Sequence, residues 1–274
     1  MPLTESDDDF PALEVIASRQ PSRLLVICDH ASARIPLRYK DLGLSPDERY
    51  SHIAWDIGAA EVARRVSRGL DAALVLAGVS RLLVDCNRAE DEPGWMPANS
   101  CGIDVPGNRG LESSEIAYRK REWYDPYHQA VAARLDLIKG RGQVPAVIAV
   151  HSFTPSMAGQ ERPWHVGVLW NRDDRLARPV MDRLRQQASF GEAGIGKAGL
   201  EVGDNQPYSA REINHTLDTH AGKPGYPHIS FEIRQDLLAC EEGWARWADI
   251  LIRALSPSLA DESLYHPEFS LDHA

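Results

Sequence analysis

The sequence has no apolar run approaching the roughly 20 residues that span a bilayer, and no basic N-terminal segment followed by an apolar one. A membrane-spanning or exported chain is not expected, and the sequence reads as cytoplasmic. Cysteine is scarce: Cys28, Cys86, Cys101 and Cys240 are the only 4. None forms a Cys-x-x-Cys pair, which argues against a disulfide framework and against a thiolate zinc site. Cys28 and Cys86 lie in apolar runs and read as small buried hydrophobes. Positive charge is in deficit, with 30 Lys and Arg against 40 Asp and Glu and a formal charge of -10. No basic cluster stands out, so nucleic acid is not expected as a partner. Internal repeats, low-complexity tracts and inter-domain linkers are also missing.

Hydrophobic residues make up 43% of the 274 residues, enough for a sizeable core. The runs Leu24–Cys28, Ala73–Ala77, Leu82–Cys86, Ala146–Val150, His165–Trp170 and Ile229–Ile233 read as strands and alternate with helical patterns. This alternation predicts an α/β fold with a central mixed, largely parallel β-sheet flanked by helices on both faces. Ser45-Pro46-Asp47-Glu48 has the elements of a capping box with proline at the first helical position, so a short helix is expected there. The charged stretch Ser113–Lys139 has helical periodicity, which Pro126 should kink or divide. Further helices are expected at Ala59–Leu70, Arg175–Gln187, Ala210–His220 and Glu241–Leu255. The chain is read as a single α/β domain over 12–255, with loosely ordered termini at 1–11 and 256–274.

The chemistry-bearing residues gather where these strands end. Val150-His151-Ser152 closes one run, Cys28-Asp29-His30 another, and Glu232 sits in Phe231-Glu232-Ile233-Arg234. In open α/β sheets, ligands bind beyond the carboxyl ends of the strands, so separate strands can deliver groups to one point. Two imidazoles and a carboxylate meeting there suggest a metal that activates water. A hydrolytic zinc site takes three protein ligands and keeps one position open. The third ligand should be Asp, Glu or His, and Asp56 is the first candidate. His52 is a second, as a ligand or as a group that orients the carboxylate. Asp29 ranks lower, because neighbouring side chains on a strand point to opposite faces. Asp56 before Gly58-Ala59 also has the look of a helix N-cap.

Glu232, in an otherwise apolar strand, is costly to bury unless paired or working. It is either an ion-pair partner of an arginine such as Arg234, or a base whose raised pKa suits it to deprotonating water. Asn87 and Arg88 close the run Arg81–Cys86, and a guanidinium fork there matches a substrate carboxylate. The alternative for Arg88 is an ion pair with Asp85 or Glu90. Arg162, Asn205 and Tyr208 are further substrate-binding candidates, the last two within a polar turn that also reads as plain structure.

Taken in order, Asp29-His30-Ala31-Ser32 with Ile35-Pro36, Trp55-Asp56-Ile57-Gly58-Ala59, Val84-Asp85-Cys86-Asn87-Arg88, His151-Ser152, Asn205-Gln206-Pro207-Tyr208-Ser209 and Phe231-Glu232-Ile233-Arg234 resemble the N-formylglutamate amidohydrolase family. The match runs from about His30 to Leu238. The resemblance implies a zinc-carboxypeptidase-like fold and one divalent ion, zinc, held by His30 and His151. It also implies Glu232 as general base, Asn87 and Arg88 as binders of the substrate carboxylate, and a small acidic N-acyl amino acid as substrate. Two departures are plain. Ala33 stands where the carboxypeptidase pattern has a glutamate three positions after its first histidine, and Ala31-Ser32 replaces the Ser-Gly of better characterised members. The first leaves the third metal ligand open among Asp56, His52 and others. The second places the chain in a divergent branch.

Overall fold

A computed structural model describes residues 11–90, 92–187 and 199–267. Seven strands form the central sheet: β1 (Leu13–Ile16), β2 (Leu24–Cys28), β3 (Ala73–Ala77), β4 (Ala146–Phe153), β5 (Val166–Leu169), β6 (Val202–Asp204) and β7 (His228–Arg234). Their spatial order is β1-β3-β2-β4-β7-β5-β6. The pairs β3/β2, β2/β4, β4/β7 and β5/β6 are parallel, whereas β1/β3 and β7/β5 are antiparallel. The sheet is thus mixed and mostly parallel, as the alternation of strand and helix patterns predicts.

The central strands read as continuous apolar runs because both faces are covered. On one face Val26, Ile148 and Phe231 pack against α2 (Ala59–Leu70), α5 (Ala177–Gln187) and α7 (Glu241–Leu259), through residues such as Val62, Val180 and Leu251. On the other, Leu25, Ile27, Val147 and Ala149 meet Tyr127, Val131 and Leu135 of α4 (Asp125–Lys139). Each fully buried aliphatic side chain of this kind contributes about 1.5–3 kcal/mol. The capping box of α1 (Pro46–Arg49) is present, with Ser45 and Glu48 bonded reciprocally. The stretch from Ser113 is divided into α3 (Ser113–Arg119), a π-turn over Lys120–Tyr124 and α4, with Pro126 in the first turn of α4 where its missing N–H costs nothing.

Three expectations need correcting. Leu82–Cys86 is not a strand: Leu83 N bonds Ser80 O at 2.9 Å and Asp85 N bonds Trp95 O at 2.7 Å, so the backbone is spent on turns. Its apolar side chains enter a separate cluster with Ile53, Trp95 and Tyr124, and the place beside β3 is taken by β1, which sequence reading missed. A short apolar run gives no periodicity to tell these outcomes apart. The Ala210–His220 helix shrinks to α6 (His215–Leu217) with a π-turn over Asp218–Gly222, since Ala210 N is engaged by Asn205 Oδ1 at 3.2 Å outside any helix. The last helix runs past Leu255 to Leu259, and a turn at Glu262–Leu264 follows with Leu264 buried. Of the termini expected to be loose, 1–10 and 268–274 lie outside the described residues.

Candidate active site

Strand alternation aims the key groups. On β4, Val147 and Ala149 face the α4 side, and so does His151 two residues on. On β7, Phe231 and Ile233 face the opposite side, which turns Glu232 towards the face of His151. Glu232 and His151 are register partners on adjacent parallel strands. Asp29 and His30 follow the end of β2 directly. Asp56 arrives from the next loop, tied by its N–H to His30 O at 3.0 Å. Gly58, at φ 78°, then turns the chain into α2; a Cβ there would lie 2.5 Å from Leu238 Cβ.

His30, Asp56 and His151 are buried, and each offers a ligand atom within 4.8 Å of the others. The Nδ1 atoms of both histidines converge on one oxygen, Asp56 Oδ2, at 3.2 Å and 2.8 Å. The Nε2 atoms are held by other carboxylates: His30 by Asp85 Oδ1 at 2.8 Å, His151 by Asp29 Oδ2 at 3.2 Å. Each supporting carboxylate is itself secured. Asp85 accepts from Arg81 Nη2 at 2.7 Å and Nε at 3.1 Å, and Asp29 accepts from the Tyr127 hydroxyl at 2.8 Å. Arg81 also reaches to 3.6 Å from Asp56.

Burial alone favours the neutral form of each of these groups, and for most of them the neighbouring charges oppose it. Against burial, the two imidazoles hold Asp56 far below the usual carboxylate range, and Arg81 with His30 does the same for Asp85. Burial and Arg81 push His30 down, but Asp85 and Asp56 outweigh them and raise it. His151, likewise opposed by burial, is raised well above its ordinary value by its bonds to Asp29 and Asp56. The site therefore favours positive charge where the imidazole nitrogens meet Asp56. Glu232 behaves oppositely: burial is its dominant influence and pushes it up to about 7, with Asp56 adding to the rise and the two histidines and Arg81 opposing it. It is 6% exposed, and among the described residues its Oε2 has no hydrogen-bond partner.

His30, Asp56, Asp85, His151 and Glu232 line a cleft of about 350 Å³ with His52, Arg81, Asn87, Arg88, Asn214 and Tyr208. The alternatives left open by the sequence can now be compared with the geometry. The N-cap of α2 is Gly58, and the Asp56 carboxylate accepts from the histidines and, at 3.4 Å, from Ser152 N. Arg234 pairs with Asp236 at 2.8 Å and not with Glu232. His52 lines the cleft outside the donor trio, and burial lowers it, with Arg162 and Arg81 adding to the effect. Arg88 lines the cleft with Glu92 at 3.8 Å as its ion-pair partner, while Asp85 is held by Arg81. Arg162 stands behind the wall and donates to Tyr208 Oη at 2.9 Å and Thr154 Oγ1 at 3.2 Å. Asn205 does not line the cleft; its Oδ1 accepts from Trp170 N and Ala210 N.

Sequence reasoning missed Arg81 as a site residue and missed Asp29 and Asp85 as supports. The alternation argument against Asp29 applies to its neighbour His30, but it says nothing about His151 on the adjacent strand, where Asp29 is engaged. For Asp85, the available signal was its place two residues before Asn87-Arg88.

The donor set fits a catalytic divalent ion. It has three ligands of nitrogen and oxygen chemistry, each histidine has its far nitrogen fixed by a carboxylate, and an unpartnered carboxylate faces the same cleft. Among the described residues no helix is long and apolar enough to cross a membrane.

No curated protein matches the chain. A gene product of Agrobacterium tumefaciens of known structure is 35% identical, with 93% of this chain and 97% of that one covered and a TM-score of 0.84. An N-formylglutamate amidohydrolase from Ralstonia eutropha shares the fold at 17% identity and a TM-score of 0.58, over 90% of this chain and 96% of that one. The family model described as N-formylglutamate amidohydrolase matches residues 22–239, a span that holds every group of the cleft, and the chain is an amidohydrolase of that family.

Proposed function

We propose that the protein is a zinc-dependent amidohydrolase that removes the N-formyl, or a similar N-acyl, group from an acidic amino acid such as N-formylglutamate. The observation that carries this reading is the convergence of His30, Asp56 and His151 beside the unpartnered Glu232 in one cleft. Those three residues would hold the ion, which would supply Lewis acidity for the amide carbonyl and would lower the pKa of the attacking water. Glu232 takes the proton of the attacking water and passes it to the departing nitrogen as the C–N bond breaks, releasing formate and the free amino acid. Asn87 and Arg88 anchor the α-carboxylate, the arginine through its two-pronged fork. Arg162 acts through Tyr208 in shaping the far wall.

The test is metal analysis of the purified protein together with formate release from N-formyl-L-glutamate and a panel of N-acyl amino acids. One zinc per chain, with turnover that falls when the α-carboxylate is capped as an amide, supports the reading. Protein that binds no stoichiometric metal would sink the mechanism. Equal turnover of capped and free substrates would sink the anchor.

A further inference from the structure

The segment Asp85–Arg88 lies outside the sheet, so no strand pairing fixes it, although it carries the support of His30 and the proposed anchor. Its polar groups are instead held from the helical side. His128 Nε2 lies 3.1 Å from Cys86 O, and Thr216 Oγ1 donates to the same carbonyl at 3.1 Å. Thr216 N donates to Asn87 Oδ1 at 3.0 Å, and the Tyr124 hydroxyl donates to Arg88 O at 2.9 Å.

Donor arithmetic fixes the protons behind these contacts. A carbonyl only accepts, so His128 Nε2 carries the hydrogen, and the Nδ1 of a neutral ring then accepts from His220 Nε2 at 2.9 Å. Tyr124 has one proton and gives it to Arg88 O. His215 Nε2, 2.9 Å from the Tyr124 hydroxyl oxygen, must therefore be the donor to it. On this assignment all three imidazoles carry a hydrogen on Nε2. They do not form a second metal centre: among the described residues the donor group is His30, Asp56 and His151, and a nitrogen of His128 and one of His220 are already spent on each other.

We propose that His128, His215 and His220, with Tyr124, are positioning residues that fix the Asn87–Arg88 anchor in the cleft wall. The proposal rests on the anchor role given to Asn87 and Arg88 above. Asp85 also accepts from Asn87 N at 2.9 Å, but its carboxylate is pinned from the other side by Arg81 and His30, so loosening Cys86–Arg88 should affect substrate binding first and leave the metal in place. Loss of binding energy that is uniform along the reaction raises KM without lowering kcat.

The experiment uses zinc-loaded protein with His128→Leu, Tyr124→Phe and His128→Gln, the last keeping an amide N–H where Nε2 stands. His128→Leu and Tyr124→Phe should raise KM about 5- to 10-fold, the equivalent of one good hydrogen bond. In both, kcat should stay within about twofold and zinc affinity should be unchanged, while backbone amide exchange over 86–90 accelerates. His128→Gln should recover most of the loss. If His128→Leu does not fold, Tyr124→Phe, which removes one oxygen, carries the test alone. Unchanged exchange over 86–90 would overturn the proposal. So would faster exchange with KM unmoved in an enzyme whose KM responds to Arg88→Ala. Unchanged KM in Arg88→Ala itself marks a failure of the anchor reading, and removes what the cluster is proposed to position.

Discussion

Two groups of histidines lie on the α4 side of this sheet, and their chemistry is opposite. His30 and His151 are buried among carboxylates, and Asp56, Asp85 and Asp29 raise them despite the burial. His128, His215 and His220 are partly buried against a tyrosine, a backbone carbonyl and each other, and burial lowers all three, His128 to about 4. Burial disfavours charge on every imidazole. What decides the outcome is whether the ring nitrogens meet formal negative charge or only dipoles. The first group fits a cation, either protons or a divalent ion in their place. The second is built to stay neutral and donate hydrogen bonds.

The contrast breaks most decisively at the ligands. Replacing His30 or His151 by Ala removes one of three donors, and zinc affinity, read by competition with a chromogenic chelator, should fall on the order of 1000-fold. His220→Ala, from the neutral group, should leave it within about twofold. Comparable losses in both groups would erase the distinction.

Glu232→Gln comes next. It keeps shape and hydrogen-bonding capacity but removes the base, so kcat should fall by about 100-fold or more while zinc stays bound. In the parent, a base must be ionised to work, so kcat/KM should rise with pH through the pKa of Glu232. A bound cation pulls that value down from about 7. The acid limb is therefore expected between the ordinary carboxyl range and 7. A limb above that range, surviving in Glu232→Gln, would point to another base.

The carboxylates behind the histidines give a smaller effect. Asp29→Asn and Asp85→Asn keep a hydrogen-bond acceptor but lose the charge that orients each ring, so zinc affinity should drop about 10- to 100-fold. Equilibrium dialysis would measure it. No change in Asp29→Asn would mean that the Tyr127–Asp29–His151 chain supports packing alone.

The sequence made His30, His151 and Glu232 visible and hid the carboxylates behind the histidines for one reason: strand ends and alternation are local, whereas those contacts come from across the sheet. His30, His151 and Glu232 stand at or in recognisable apolar runs, so their faces follow from parity. Asp56 was legible only as one candidate among several, because what excludes an N-cap role is the position of Gly58, one residue before the helix. Arg81 lies at the head of a run that looks like a strand and is a turn, so its reach to both Asp85 and Asp56 had no local signal. His128, His215 and His220 were invisible for the same reason. They come from α4, α6 and a π-turn, and only the packing of those elements behind Cys86 and Arg88 brings them together.

The neutral group yields the smallest effect, in the stability of the fold. The folded state holds His128 at about 4, below its ordinary 6.5, so folding favours the neutral ring. Stability is then complete above pH 6.5 and is lost as pH falls from there towards 4. The groups facing the ring set the sign: His220 and His215, when protonated, push the same way as burial, and Asp29 and the bond to Cys86 O oppose them without outweighing them. Water reaching a partly buried ring softens the penalty, so a loss of about 1–2 kcal/mol is expected between pH 7 and pH 5. His128→Gln does not titrate, and its stability in urea at pH 5, relative to pH 7, should fall by that much less than the parent's. The comparison should use zinc-free protein for both, since metal binding to the folded state would add its own pH dependence. Identical acid losses in parent and variant would mean that His128 is already free to take up a proton in the fold. The tautomer assignment behind Cys86 would then have to be withdrawn.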